Sequence, residues 1–381
     1  MPGFAVSRRA LLFGAASAAL SCRNKPAGFN GYCFVANRDG NSIAVVDLQR
    51  LRRVRSIALP AAPSQILALP QLATPVAASS KAFILTPDTG TVHELDAGSL
   101  ALTRHAQPGK SAIAMALAPS NDSLWVLLRD PQQFVEIPLD SFQPRRRINL
   151  GAPADTFDIS PQGQAAIAST AARTITLATL RTGAIDRTIA AEDAPSVLCF
   201  QRDGRQLLAG SYASRNLAIF DTAAGKTVVR MPLAIAPRNF CTKSDGGEIY
   251  VSGDGMDAVA IVYPYQTEVA ETVLAGRGPG AMTFAGGLLL VANPEIGRVT
   301  ALDVSLSKKF VTVVDVGQQP SRLFATPDEK WAFTLNRQSG DMAVILLASL
   351  TVRRPHLEPS HVFTILPVGE TPIDAAIVSR A

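Results

Sequence analysis

The chain has 381 residues, of which 47% are hydrophobic and only 18% charged, a balance that excludes a long disordered protein and allows a large core. Its formal charge of +5 falls to +3 without the first 21 residues, which carry Arg8, Arg9 and no acid, so nothing in the charge points to nucleic acid. Four cysteines (22, 33, 199 and 241) make no dense disulfide framework, and stability has to come from packing.

Residues 1–22 read as an export signal. Ser7-Arg8-Arg9-Ala10-Leu11-Leu12 precedes a charge-free run from Phe13 to Leu20 that is too short to span a bilayer. The pattern resembles a twin-arginine signal, which implies export of an already folded domain. Two cleavage sites stay open: Ala16-Ser17-Ala18 fits small-x-small cleavage, while Ala19-Leu20-Ser21-Cys22 resembles a lipoprotein box in which Cys22 would be acylated. Residues 23–30, starting Arg23-Asn24-Lys25-Pro26, then serve as a short polar tether. The expected location is periplasmic, either free or held on a membrane only through lipid on Cys22.

From residue 31 onward one unit recurs. Gly31-Tyr32-Cys33-Phe34-Val35-Ala36-Asn37 and Ile43-Ala44-Val45-Val46-Asp47 are apolar runs around a polar turn, and a lone hairpin of this kind is marginal in water. Copies of the first run follow at Ala82, Leu124, Ala165, Leu207, Ile249, Leu289 and Trp331, spaced by about 42 residues through the middle of the chain. Each is followed by a second run, such as Leu217 to Asp221, and a third, such as Thr227 to Met231. A fourth run comes after a Gly/Pro turn, as at Pro195 to Phe200, Pro237 to Cys241 and Pro320 to Phe324. Four antiparallel strands per repeat predict the blades of an all-β propeller.

Phe34-Val35-Ala36-Asn37 with Ile43 to Asp47, and Leu290-Val291-Ala292-Asn293 with Val299 to Asp303, resemble YVTN-type β-propeller repeats. The resemblance covers residues 31–381, read as a single propeller domain, although the unit from Ala166 to Leu180 lacks both the Asn and the Asp. The chain starts on a second-position strand and ends on an innermost type, Pro372 to Val378. The C-terminal strand is therefore expected to complete the first blade and close a ring of eight blades, with seven as the alternative.

Innermost strands line the channel of a propeller, and the turns leading into them ring one mouth, where a ligand would be met. The polar residues at or beside those positions are Gln65, Lys110, Asp155, Arg238, Asn239, Arg277, Arg322 and Asp374. They are the candidate ligand-binding set, with mixed charges in which the cations favour a small anion. Asp155, Arg238, Arg322 and Asp374 would be the cluster of a lactonase-like hydrolase, a reading set beside that of solvated rim charges.

A redox or haem propeller, such as the eight-bladed domain of cytochrome cd-type nitrite reductases, needs an axial ligand. None of the four histidines falls at the mouth: His93 lies in a second-run strand, His105 in a third, and His356 and His361 in the long loop of the last unit, with no expected convergence. No metal site, catalytic group or cofactor is expected on these grounds. Cys199 and Cys241 occupy matching places in consecutive inner strands, beyond disulfide reach, and read as packed thiols. Arginine clusters at Arg50, Arg52, Arg53 and Arg55, at Arg145, Arg146 and Arg147, and at Arg353 and Arg354 fall beside the turns between second and third runs, on one outer rim. There they would discourage edge pairing or meet a partner or head-group surface.

The sequence thus predicts an exported, monomeric propeller that acts as a binding or scaffolding module, offering its mouth and loops to a protein or small anionic ligand. A lactonase-like hydrolase is the runner-up, and a cofactor-linked redox accessory the weaker third reading.

Overall fold

The computed structural model describes residues 28–70, 81–305, 308–351 and 361–380. The signal, Cys22, Arg353, Arg354 and His356 lie outside them. Within the described residues, eight four-stranded antiparallel sheets form the blades of a propeller. We number the blades from the one that holds Gly31–Asn37. The innermost strands of blades 2 to 8 are Gln65–Ala68, Ser111–Leu117, Thr156–Ile159, Val197–Phe200, Ala236–Thr242, Met282–Ala285 and Pro320–Ala325. The innermost strand of blade 1 is Pro372–Ser379 from the far end of the chain, paired antiparallel with Gly31–Asn37. Eight blades and closure by the C-terminal strand are as the repeat pattern predicts.

Alternation along each strand explains the assembly. Cys33 and Val35 pack on Phe333 and Val344 of blade 8, whereas Phe34 and Ala36 turn the other way onto Ile84 and Leu95 of blade 2. Both faces of a blade are therefore buried, and the middle strands read as continuous apolar runs such as Ser42–Asp47. The outermost strands carry exposed side chains, as in Arg52–Ala58, where only Ile57 is buried. In every blade but the third, the register slips at a bulge between the third and outermost strands, for example between Val45 and Val46. That bulge and the outward arginines blunt the free edge.

The recurrent Asn and Asp have local duties. Asn37 Nδ2 donates to the carbonyl of Val368 at 2.9 Å, and Asn293 Nδ2 does the same to Ala275 at 2.9 Å, so each ties down the connection leaving the preceding blade. A side chain at Gly369, where φ is +136°, would place Cβ 2.5 Å from Asn37 Nδ2, and glycine leaves room for this bond. Asp47 Oδ1 accepts the backbone N–H groups of Gln49 and Arg50, both at 3.0 Å, and so caps the turn to the outer strand.

Removing residues 371–381 would strip blade 1 of its inner strand and expose the apolar faces it covers. We expect the single cooperative unfolding transition to be lost or moved down by more than about 10 °C, which a calorimetric scan would detect.

Candidate functional site

The inner strands start at one mouth of the channel and the second strands end there, so two sets of turns share this face. Three of the sequence candidates stitch neighbouring inner strands together. Arg322 Nε lies 3.0 Å from Asp374 Oδ1, linking blade 8 to blade 1. Asp374 Oδ2 accepts the N–H of Ile66 in blade 2 at 3.0 Å. Gln65 then accepts the Met115 N–H at 2.8 Å and donates to its carbonyl at 2.9 Å, which reaches blade 3. Asp374 is only 8% exposed, and burial pushes its carboxyl up against the opposing pull of Arg322.

The others sit apart. Asp155 accepts the N–H of Thr170 at 2.8 Å and holds the turn between the second and third strands of its own blade. Asn239 donates to Ser252 Oγ at 3.2 Å. Arg277 pairs with Glu295 at 3.0 Å in an exposed ion pair. Lys110 is exposed and makes no side-chain hydrogen bond or ion pair among the described residues. Asp155, Arg238, Arg322 and Asp374, proposed from sequence as one hydrolytic cluster, belong to blades 4, 6, 8 and 1: Arg322 and Asp374 pair with each other, whereas Asp155 holds the Thr170 N–H and Arg238 pairs with Asp254.

Arg238 is the centre of the most developed group. Its Nε and Nη2 donate to Asp254 Oδ2 at 2.9 and 2.7 Å, and Nη2 also reaches Tyr212 Oη at 3.1 Å. The guanidinium carbon stands 4.4 Å from the centre of the Tyr212 ring, while the Tyr212 hydroxyl donates to Asp254 at 2.7 Å. The hydrogen bonds from Arg238, then that from Tyr212, hold the Asp254 carboxyl below its usual range, and Asp254 in turn raises Arg238. This triad leaves Nη1 without a partner and presents a tyrosine ring that is 39% exposed.

On one side of the triad is a cavity of about 380 Å³ lined by Thr170, Ala194, Ser196, Tyr212, Ala213, Pro237 and Arg238. On the other is one of about 330 Å³ with Asp254, Asp257 and Glu295 on its wall. Thr170, held by Asp155, also donates to the Pro195 carbonyl at 2.8 Å, so two sequence candidates, Asp155 and Arg238, shape the same cavity. Tyr212 and Asp254 were missed in the sequence because they close second strands rather than follow Gly/Pro turns. The signal available was the polar turn of blades 5 and 6, which folds onto the same mouth.

Below the mouth the channel strands carry half-buried Leu67, Phe157, Phe240, Phe284 and Phe324. Asp158 Oδ2 accepts the Phe200 N–H at 2.7 Å, and burial, opposed by that bond, pushes its carboxyl up. Cys199 and Cys241 are unbridged, as expected, and burial raises their thiols to about 11 and about 12, so both stay protonated. One expectation fails for the histidines: His93 and His105 are cross-strand partners with ring centres 6.3 Å apart. They lie in the outer half of blade 2, away from the channel strands, and burial followed by the charge of His105 lowers His93. No group of three or more metal-ligating side chains is found among the described residues.

No family model matches the chain, and no curated protein matches it in sequence. Solved structures do resemble it. The dihydro-heme d1 dehydrogenase NirN, in complex with DHE, superposes with a TM-score of 0.75 at 13% identity, over 93% of this chain and 77% of that one. Hydrazine synthase of Kuenenia stuttgartiensis gives 0.58 at 20% identity, over 74% and 95%. A functionally unknown protein from Desulfotomaculum acetoxidans DSM 771 gives 0.60 at 12% identity, over 92% and 100%. At these identities the likeness is one of fold, and this chain is a β-propeller of the same architecture.

Asp158 gives a pH signature. With its folded pKa raised and its unfolded value ordinary, the folded state binds the proton more tightly, and stability declines as pH rises from the unfolded pKa through the folded one. Asp158→Asn keeps an acceptor for Phe200 and removes the buried charge. Its melting temperature should exceed that of the parent by roughly 1–3 °C at pH 7 and converge with it at pH 4, as read by scanning calorimetry.

Proposed function

We propose that this chain is an exported binding propeller with YVTN-type repeats, anchored through Cys22 and working as a monomer, whose mouth holds a small anionic ligand with a planar body. The observation that carries this reading is the Tyr212–Arg238–Asp254 triad on the wall of the 380 Å³ cavity. Its exposed tyrosine ring offers a stacking face, and Arg238 Nη1 offers a fixed, charged donor for a carboxylate or phosphate at the ligand's edge. Similarity in fold to NirN, described as a complex with DHE, supports a propeller of this build holding a ligand. The identity of 13% makes that support one of architecture.

Asp254 tempers the site. It occupies Nε and Nη2 of Arg238, so an incoming anion competes with a resident carboxylate, and binding should be modest and weakened by salt. Calorimetric titration with planar carboxylates, tetrapyrrole carboxylates included, should show binding to the parent at low salt. Arg238→Ala should weaken it by about tenfold or more. Asp254→Asn should strengthen it several-fold, because the acceptor that remains is uncharged. Equal affinity in all three proteins would remove the mouth triad from the function.

The anchor has its own test. Intact-mass spectrometry of the membrane fraction should find a mature chain that starts at acylated Cys22. A free N-terminus following Ala18 would leave an exported but unanchored protein.

A further inference from the structure

A second cavity, of about 920 Å³, opens between blades 3 and 4 on the rim opposite the mouth. Its inner end is lined by Ser120, Asp122 and Gln162, and its outer end by arginines from the turns between third and outer strands. Beneath lies Glu136, only 6% exposed, at a register position where blades 1, 4 and 5 carry Val45, Leu177 and Ile219. A carboxylate in place of a core aliphatic has to be compensated. Arg146 supplies that, with Nη1 3.1 and 3.2 Å from the two carboxylate oxygens of Glu136. Arg146 also crosses to blade 4, where a Cβ on Gly183 would sit 3.2 Å from its Cδ.

The walls are fixed by equally specific contacts. Arg104 of blade 2, itself bound to Glu94, donates to the carbonyls of Leu139 and Asp140 at 2.9 Å each. Asp122 accepts the hydroxyls of Ser120 and Ser123 at 2.7 and 2.9 Å. Against this background Arg145 and Arg181, both exposed, make no side-chain hydrogen bond or ion pair among the described residues. The groove thus has at its outer end the guanidinium groups of Arg145 and Arg181, neither of them hydrogen-bonded or ion-paired among the described residues, beside the exposed carboxylate of Asp140, and at its inner end the carboxylate of Asp122. A plain anion would be repelled by Asp122, whereas a ligand with a donor at its far end would satisfy both ends.

We propose that this groove binds a small phosphoester, with its phosphate on Arg145 and Arg181 and a hydroxyl or ammonium group directed to Asp122. A soluble phosphoester and a phospholipid head group offer the same chemistry, and a groove open on a rim admits either. Neither the mouth triad nor its ligand is needed for this site.

The test uses the full chain carrying Cys22→Ser, so that acylation cannot bring it to a membrane. Calorimetry with glycerol 3-phosphate, phosphoethanolamine and inorganic phosphate is run beside co-sedimentation with vesicles of phosphatidylcholine, with and without phosphatidylglycerol. The two organic phosphates should bind more tightly than inorganic phosphate. Arg145→Ala with Arg181→Ala should weaken them at least about tenfold at an unchanged melting temperature, and Asp122→Asn should erase the preference. If that double variant unfolds, Arg145→Lys with Arg181→Lys, which keeps the charge and loses the planar fork, replaces it and should still lose several-fold. Binding confined to vesicles containing phosphatidylglycerol, and lost in the arginine variant, would assign the groove to a head group. No binding to any probe, or binding unchanged by the arginine substitutions, would overturn the site.

Discussion

The pairing of Pro372–Ser379 with Gly31–Asn37 is the contact on which the rest of the molecule depends. Each blade buries two faces, so a sheet with a neighbour on one side only would leave a row of aliphatic side chains in water. A ring removes this problem, but only when its two chain ends share one sheet. Nearby polar contacts reinforce the join: Arg380 donates to the buried Asp47 at 3.0 Å and lies over the Tyr32 ring, and Asn37 reaches Val368 across the blade boundary. The seam is thus held by backbone ladder, ion pair and side-chain bond together.

Closure also decides what the mouth residues do. Arg322, Asp374 and Gln65 lie on the blades around the seam and hold inner strands to one another. Their charge and polarity are absorbed by these contacts, and little is left for a ligand. On the arc from blade 4 to blade 6, by contrast, polar side chains of turns and strand ends, such as Thr170, Tyr212, Arg238 and Asp254, frame cavities. One ring of similar positions is thereby divided into an arc that joins inner strands and an arc that lines cavities.

The opposite rim follows another logic. There the turns bend around capping aspartates such as Asp47, and acids and arginines alternate. Where a core aliphatic of the third strand is replaced by Glu94 or Glu136, an arginine of the outer region is drawn in to compensate it. In blade 2 the compensation is complete: burial pushes the Glu94 carboxyl up, and Arg104, Thr103 and Lys81 together outweigh it. In blade 3 burial prevails and the Glu136 carboxyl stays raised, beside an open groove.

The sequence by itself determined the class of fold and pointed to closure by the C-terminal strand, while the choice of eight blades over seven was made by the structure. Short apolar runs such as Phe34 to Ala36, set off by Asn, Asp and Gly turns and repeated four to a unit, read as strands buried on both sides, and a second-position first strand with an inner-type last strand favours completion of the first blade by the two together. It also located the mouth, because a Gly/Pro turn before each inner strand is a local signal. What the tertiary structure alone decided is which polar groups meet. Tyr212, Arg238 and Asp254 come from two blades, and their contacts depend on how neighbouring sheets are rotated against each other. The facing of His93 and His105 depends likewise on a register that the bulge between Glu94 and Leu95 sets. A repeat pattern fixes the position of each residue within its own unit, whereas a site between units is made by the packing angle, which no single unit encodes.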